Sequence, residues 1–257
     1  MKLTFLGTGT SQGVPIIACK CRVCTSSNSK DKRLRSSVLI EDNEHSLVID
    51  SGPDFRFQML RQKVKKLDAI ILTHEHRDHI AGLDDVRAFN YIQQKPMDVY
   101  AEKRVHEAIK TEFLYAFEKD KYPGVPKINM HLVDNDLFQI NGLSILPIRV
   151  MHYKLPVFGY RIGNMAYITD ASYISPEEKK KLEGLKFLII NALRKEAHPT
   201  HFNLAKALEL IKELVPENAF LTHLSHQMGI HEELEKIVPE NVHFAYDGLS
   251  FHFNPKG

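Results

Sequence analysis

Apolar residues fall in short bursts along this chain, at residues 3–6, 38–40, 47–49, 69–72, 99–101, 145–150, 166–168, 187–190, 219–221 and 242–245. Their length and β-branched content predict strands. Between some of them the spacing changes to that of helices with readable ends. Ser175 ahead of Pro176, with Glu178 placed to return the contact, marks one start, and Gly184 suits its stop. Asn203 caps a second helix, whose Leu204, Ala207, Leu208, Ile211 and Leu214 share one face before Pro216 ends it. Strands with helices spaced among them predict a layered α/β architecture, either two sheets between helices or one sheet covered on both faces. No linker-like stretch, low-complexity segment or repeat interrupts the pattern, so residues 1–257 read as one unit. No apolar run is long enough to cross a bilayer.

Composition narrows the class. Hydrophobic residues make up 43% of the 257, enough for a large buried core. A formal net charge of +2 with both signs interleaved lacks the basic footprint of a general nucleic-acid binder. The runs KVKK at 63–66 and EEKKK at 177–181 read as solvated faces. The start MKLTFLGTGT is a strand entering a Gly-rich turn, with no charged leader before an apolar segment, and all three cysteines fall between Cys19 and Cys24. A reducing cytoplasm is the expected setting. Histidine is the unusual residue, with 14 copies, several of them where strands are expected to end.

The densest chemistry is THEHRDHIAGLDD, residues 73–85. An apolar strand delivers its C-terminal end to His74, His76, Asp78 and His79. A separation of two puts His74 and His76 on the same side of an extended segment, where both imidazoles reach one ion. Asp78 and His79 follow at once and suit a second ion. The plain alternative makes these residues strand and helix caps, but so many ligand-type side chains crowded at one strand exit are hard to satisfy without metal.

HEHRDH resembles the HxHxDH signature of the metallo-β-lactamase fold, and the rest of that pattern follows in order: His152, Asp170 and His223 each end an apolar run. The resemblance spans nearly the whole chain. It implies a four-layer αββα sandwich, two mixed β-sheets between helices, with a pair of divalent ions at one edge. By position, His74, His76 and His152 would bind one ion, Asp78, His79 and His223 the other, and Asp170 would bridge them. Two close ions sharing a hydroxide serve hydrolysis by lowering the pKa of a water and balancing charge on attacking and leaving oxygens. Asp50, in IDSGPD, matches a position that orients a ligand from behind, though an aspartate ahead of Gly52 and Pro53 equally suits a turn. Relatives with redox di-iron centres carry a glutamate where this chain has His76, so hydrolysis is expected over electron transfer.

The cysteines read CKCRVC. Three soft ligands fall one short of a closed zinc site, and a Cys19–Cys21 disulfide would close a strained ring. His226, three residues past His223 in THLSH, is the best candidate for the fourth; idle buried thiols and a redox switch are the alternatives. CxCxxC after GTGTSQGVP, with a late HxxH, resembles the PhnP-type branch of the superfamily. That likeness implies a structural zinc held by Cys19, Cys21, Cys24 and His226, stapling the N-terminal loop to the strand end that presents His223.

The same branch places a substrate-facing histidine where this chain has His201, in HPTHFN. The catalytic residues implied are therefore His201, as the acid that protonates a leaving oxygen, and Asp78, as a ligand at the reacting centre. His198 is read as structural. Arg87, in GLDDVR, is either a phosphate clamp or an exposed salt bridge, and residues 119–126 read as a surface loop, with covering of the pocket mouth as a further expectation. His45, His106, His131, His231, His243 and His252 are expected at the surface or in turns.

The function implied is that of a phosphodiesterase in which a metal-bridging hydroxide attacks a small diester, such as 5-phosphoribosyl 1,2-cyclic phosphate, opened to ribose 1,5-bisphosphate. The paired ions are expected to be manganese or zinc, with iron also compatible. The expected partner is a small molecule, with neither membrane nor nucleic acid, and such enzymes commonly form a homodimer. Other readings of the fold are a tRNA-processing ribonuclease, for which the chain shows no basic, Gly-rich arm, a PqqB-type cofactor-biosynthesis protein, and a thioesterase or lactonase.

Overall fold

The computed structural model describes residues 1–120 and 122–256. Lys121, within the loop expected at 119–126, lies outside the described residues. The strands are β1 (Lys2–Gly7), β2 (Ser37–Glu41), β3 (Ser46–Ile49), β4 (Ala69–Ile71), β5 (Met97–Ala101), β6 (Ile128–Leu132), β7 (Phe138–Ile140), β8 (Leu143–His152), β9 (Leu155–Ile162), β10 (Met165–Ile168), β11 (Tyr173–Ile174), β12 (Phe187–Asn191), β13 (Asn218–Thr222), β14 (Val242–Phe244) and β15 (Ser250–His252). The α-helices are α1 (Phe55–Gln62), α2 (Arg77–Ile80), α3 (Arg87–Gln93), α4 (Lys103–Glu112), α5 (Leu114–Phe117), α6 (Pro176–Lys180), α7 (Leu204–Leu214) and α8 (His231–Leu234).

One sheet runs β15-β1-β2-β3-β4-β5-β6 and the other β11-β8-β9-β10-β12-β13-β14, with β7 paired to β8. Both are mixed, antiparallel at one end and parallel from β3 to β6 and from β10 to β14. Alternation along the strands explains the layering. Val38, Ile40, Leu47, Ile49, Ala69 and Ile71 face the other sheet and pack with Ile145, Phe158, Tyr160, Tyr167 and Phe220. Their neighbours Leu39, Val48 and Ile70 point the opposite way, onto Phe55, Met59, Phe89, Val105 and Ile109 of α1, α3 and α4. On the second sheet Val150, Ile168, Leu188, Ile190 and Leu221 meet Leu204, Ala207, Leu210 and Ile211 of α7. Three cores between four layers make the αββα sandwich, with two sheets between helices.

Two expectations need correction. Glu178 does not return to its cap. Ser175 accepts from the Glu178 N–H at 3.4 Å, but the carboxylate is buried and accepts from the Arg149 N–H at 2.8 Å and from Asn135 and Lys181, so 177–181 is not wholly a solvated face. His231 is no surface residue either. It is 2% exposed, its ring lies 3.4 Å from the buried Arg33 guanidinium, and its N–H donates to buried Asp31 at 2.8 Å. No helix of the described residues is long and apolar enough to cross a membrane.

Candidate metal centre

Parallel strands set the site because their C-terminal ends fall on one rim. Past β3 comes Asp50, past β4 the His74–His79 segment, past β10 Asp170, and past β13 His223, while β8 ends in His152 itself. Asp50, Asp170 and His223 all adopt left-handed backbone conformations, with φ of 66°, 57° and 55°, a cost of about 1 kcal/mol or more each for non-glycine residues, of the kind retained at functional sites. The turn after β3 is pressed against the histidine loop: a Cβ at Gly52 would strike the Asp78 carbonyl oxygen, so only glycine allows the approach. Ser51 N–H donates to the His79 carbonyl at 2.8 Å and fixes the two segments together.

Each buried imidazole is aimed by what its Nδ1 does. His79 Nδ1–H donates to Asp50 at 2.7 Å and His152 Nδ1–H to the Thr200 carbonyl at 2.7 Å. Thr73 Oγ1 donates to Asp50, which leaves it to accept from His74 Nδ1–H at 3.0 Å. Ser36 Oγ donates to the Gly9 carbonyl and so accepts from His223 Nδ1–H at 3.1 Å. Four rings therefore carry their proton on Nδ1 and present Nε2 to a common space. His76 is exposed and instead directs Nδ1 at His74 Nε2, 3.0 Å away.

The donor atoms of His74, His76 and His152 lie within 4.8 Å of one another, as do those of Asp78, His79 and His223. Asp170 stands between the two groups. Its Oδ2 is 3.3 Å from His79 Nε2, and its Oδ1 is 3.3 Å from His223 Nε2 and 2.9 Å from His201 Nε2. His79 Nε2 is buried and makes no hydrogen bond, although Asp78 Oδ2 is only 3.2 Å away. Ring and carboxylates point at a shared space rather than at each other, which is the arrangement a cation fits. Charge agrees. Burial pulls the His79 pKa down, but Asp78, Asp50 and Asp170 outweigh it and raise it well above the ordinary value. Burial holds His74 well below the ordinary imidazole and His152 below it, and pushes His223 down to about 4. Neutral rings with free lone pairs are the form that ligates metal.

At the N-terminal loop, Cys19, Cys21 and Cys24 Sγ lie 3.3, 3.3 and 3.6 Å from His226 Nδ1. A tetrahedral zinc with ordinary bond lengths separates its ligand atoms by about 3.6 Å, so the set fits that ion. Backbone N–H groups of Cys24 and Ile16 approach the Cys21 and Cys24 sulfurs at 3.5 and 3.4 Å. The first of these leads the effects that lower the Cys21 pKa to about 6, whereas burial pushes Cys24 up to about 11.

Other expected residues sit elsewhere. Arg87 is exposed and paired with Asp84 of its own turn, with its Nε donating to the Asp84 carbonyl at 3.1 Å; it is a surface salt bridge, not a clamp. Among the described residues of 119–126, Tyr122 is 79% exposed and the only backbone hydrogen bond joins Val125 N–H to the Tyr122 carbonyl. The hydroxyls of Ser36 and Thr73 and the Thr200 carbonyl were not singled out from sequence, where nothing marks them as partners of a particular ring.

Residues 45–224 match the Beta-lactamase superfamily domain. The chain belongs to that superfamily. The matched span holds every candidate ligand of the paired site, while Cys19, Cys21, Cys24 and His226 flank it on both sides. Among solved structures of the superfamily, a diphosphatase from the PhnP family is 38% identical with a TM-score of 0.93, covering 99% of this chain and 98% of that one. A Porphyromonas gingivalis protein named octanoyltransferase is 42% identical over 260 residues, which cover 100% of this chain and 52% of that protein. Ribonuclease Z of Staphylococcus epidermidis is 29% identical over 170 residues, covering 63% of this chain and 49% of that enzyme. The chain thus spans about half the length of the curated relatives it matches. It has the metallo-β-lactamase fold and is related to the PhnP-family diphosphatase and to ribonuclease Z, and proteins of this fold bind divalent metals such as zinc.

Proposed function

We propose that this hydrolase cuts a small phosphodiester, with a cyclic ribose phosphate such as 5-phosphoribosyl 1,2-cyclic phosphate as the first candidate. The observation that carries the reading is His201. Its imidazole lies in the cluster beside the Asp170 carboxylate (2.9 Å), stacked on His223 at 5.1 Å, yet it is additional to the two ligand triads. A ring in that place serves to hand a proton to a departing ribose oxygen, which a diester needs and a ready leaving group does not. The PhnP-family diphosphatase also supports chemistry at phosphorus.

His74, His76 and His152 would hold one ion, Asp78, His79 and His223 the second, and Asp170 both. Bound there, two divalent ions would supply Lewis acidity and a water activated at neutral pH. Imidazole and carboxylate donors suit manganese or zinc, and also iron; three thiolates and an imidazole suit structural zinc. Asp50 and Thr73 keep His79 and His74 aimed, the Thr200 carbonyl does so for His152, and the burial of Asp170 excludes water from its carboxylate. With its net charge of +2, the chain suits a small-molecule partner rather than RNA, in a reducing compartment such as the cytoplasm.

A second reading, hydrolysis of an acyl thioester, draws on the 42% identity to half of the protein named octanoyltransferase. Initial rates of metal-loaded protein on the cyclic ribose phosphate, bis(4-nitrophenyl) phosphate and an octanoyl thioester separate the two. Turnover of the diesters, with the cyclic one preferred and lost in His201→Ala, is expected. Cleavage of the thioester alone would replace the proposal with the second reading.

A further inference from the structure

Thr200 touches three imidazoles at once. Its carbonyl takes the His152 Nδ1 proton at 2.7 Å, and its hydroxyl oxygen lies 2.7 Å from His201 Nδ1 and 3.1 Å from His198 Nδ1. The two Nδ1 atoms are themselves 3.4 Å apart, so the hydroxyl is nearer to each than they are to one another.

Both ends of this chain of contacts have a fixed direction. The backbone N–H of Thr200 points at His198 Nδ1, 3.3 Å away. A backbone N–H only donates, so His198 Nδ1 is an acceptor and its proton is on Nε2. At the other end the Asp170 carboxylate only accepts, so His201 Nε2, 2.9 Å from it, carries a proton. Between these ends the Thr200 hydroxyl occupies His201 Nδ1 at 2.7 Å. Any proton that His201 exchanges with a reacting group must therefore pass through Nε2, the atom beside Asp170.

On this basis we infer that Thr200 and His198 are positioning residues for the reaction: they occupy Nδ1 of His201, fix the orientation of its ring and leave Nε2 as its working atom. This rests on the reading of His201 as the acid, and it gives His198 a role that its sequence neighbours did not suggest. Because the carbonyl of the same threonine aims His152, a single residue sets the acid relative to one metal ligand.

The test compares wild type, Thr200→Val, Thr200→Ser and His201→Ala, all metal-loaded, on two phosphodiesters. One is bis(4-nitrophenyl) phosphate, whose leaving group departs without a proton; the other is the cyclic ribose phosphate, which expels an alkoxide. Thr200→Val is expected to lose about 10- to 100-fold more kcat/KM on the alkoxide substrate than on the aryl one. Thr200→Ser, which keeps the hydroxyl, should restore the wild-type ratio, and His201→Ala should share the selective loss. Equal loss on both substrates in Thr200→Val overturns the positioning role. A His201→Ala protein with no selectivity overturns the acid reading beneath it. Independently of any variant, imidazole ¹⁵N spectra of the wild-type protein should show His198 bare at Nδ1 and protonated at Nε2; the reverse pattern contradicts the inference.

Discussion

Asp50 is wholly buried and holds His79 from behind, while receiving Thr73 through both its N–H (2.8 Å) and its hydroxyl. Asp50→Asn keeps the shape but removes the charge, and metal affinity at the paired site is expected to fall about 10- to 100-fold; competition with a chromophoric chelator would show it, and unchanged affinity would remove Asp50 from the account. His231 gives a prediction in pH. Burial first, then the Arg33 cation, push its pKa down from 6.5 to about 4, with Glu235 and Asp31 acting the other way. The unfolded chain takes up that proton near 6.5 while the folded one resists to about 4, so over this window the unfolded state binds more protons and stability falls as pH falls. His231→Gln should flatten that acid limb in denaturant titrations, and an identical slope would contradict the assignment. The candidate ligands could be picked out from sequence because the chemistry demands rare residue types at close spacing. Arg33, His231 and the Ser36 hydroxyl could not, since their partners Thr8, Arg33 and His223 are 25, 198 and 187 residues away and are chosen by tertiary approach.

The strands that sequence missed share a physical reason. β9 carries Pro156 and Gly159, both weak strand formers, yet Gly159 is needed there because a Cβ would meet the Tyr167 carbonyl of β10 at 2.8 Å. β6 is an edge strand without a fully buried residue, and β7, β11 and β15 are short. Apolar bursts report burial on both faces, so they missed the short and exposed strands; β9 is central and mostly buried, but Pro156 and Gly159 break its burst. Caps were easier: Asn203 accepts from the Lys206 N–H at 3.1 Å at the start of α7. Asn203→Ala is expected to cost about 1 kcal/mol of stability in equilibrium unfolding, and no change would show that the cap is redundant with the packing of α7. The cysteine loop is tied to the segment after β13 by backbone contacts as well, with Leu224 N–H donating to Thr8 and Thr10 N–H to Leu224. Metal analysis of Cys21→Ala should find about one zinc per chain fewer with the paired site kept; undiminished zinc would reject the staple.

Across the whole molecule, two sheets with matching halves bring their parallel strand ends to one rim, and the residues that the family pattern orders along 74–223 converge there. The superfamily match covers this part and leaves Cys19, Cys21, Cys24 and His226 outside it on either side, so a zinc held by them would be an addition that pins the N-terminal loop to the segment presenting His223. Order along the chain was legible from the motif; which hydrogen bonds aim each ring was not, because the partners of His79, His152 and His223 come from other segments that only the fold brings near. The rim is expected to hold two ions, with diester cleavage dependent on both. A titration of chelator-stripped protein with manganese, while hydrolysis of bis(4-nitrophenyl) phosphate is followed, tests this. No activity is expected at the start, and a rise that saturates at about two ions per chain. Hydrolysis by the stripped protein, or saturation at a single ion, would contradict it.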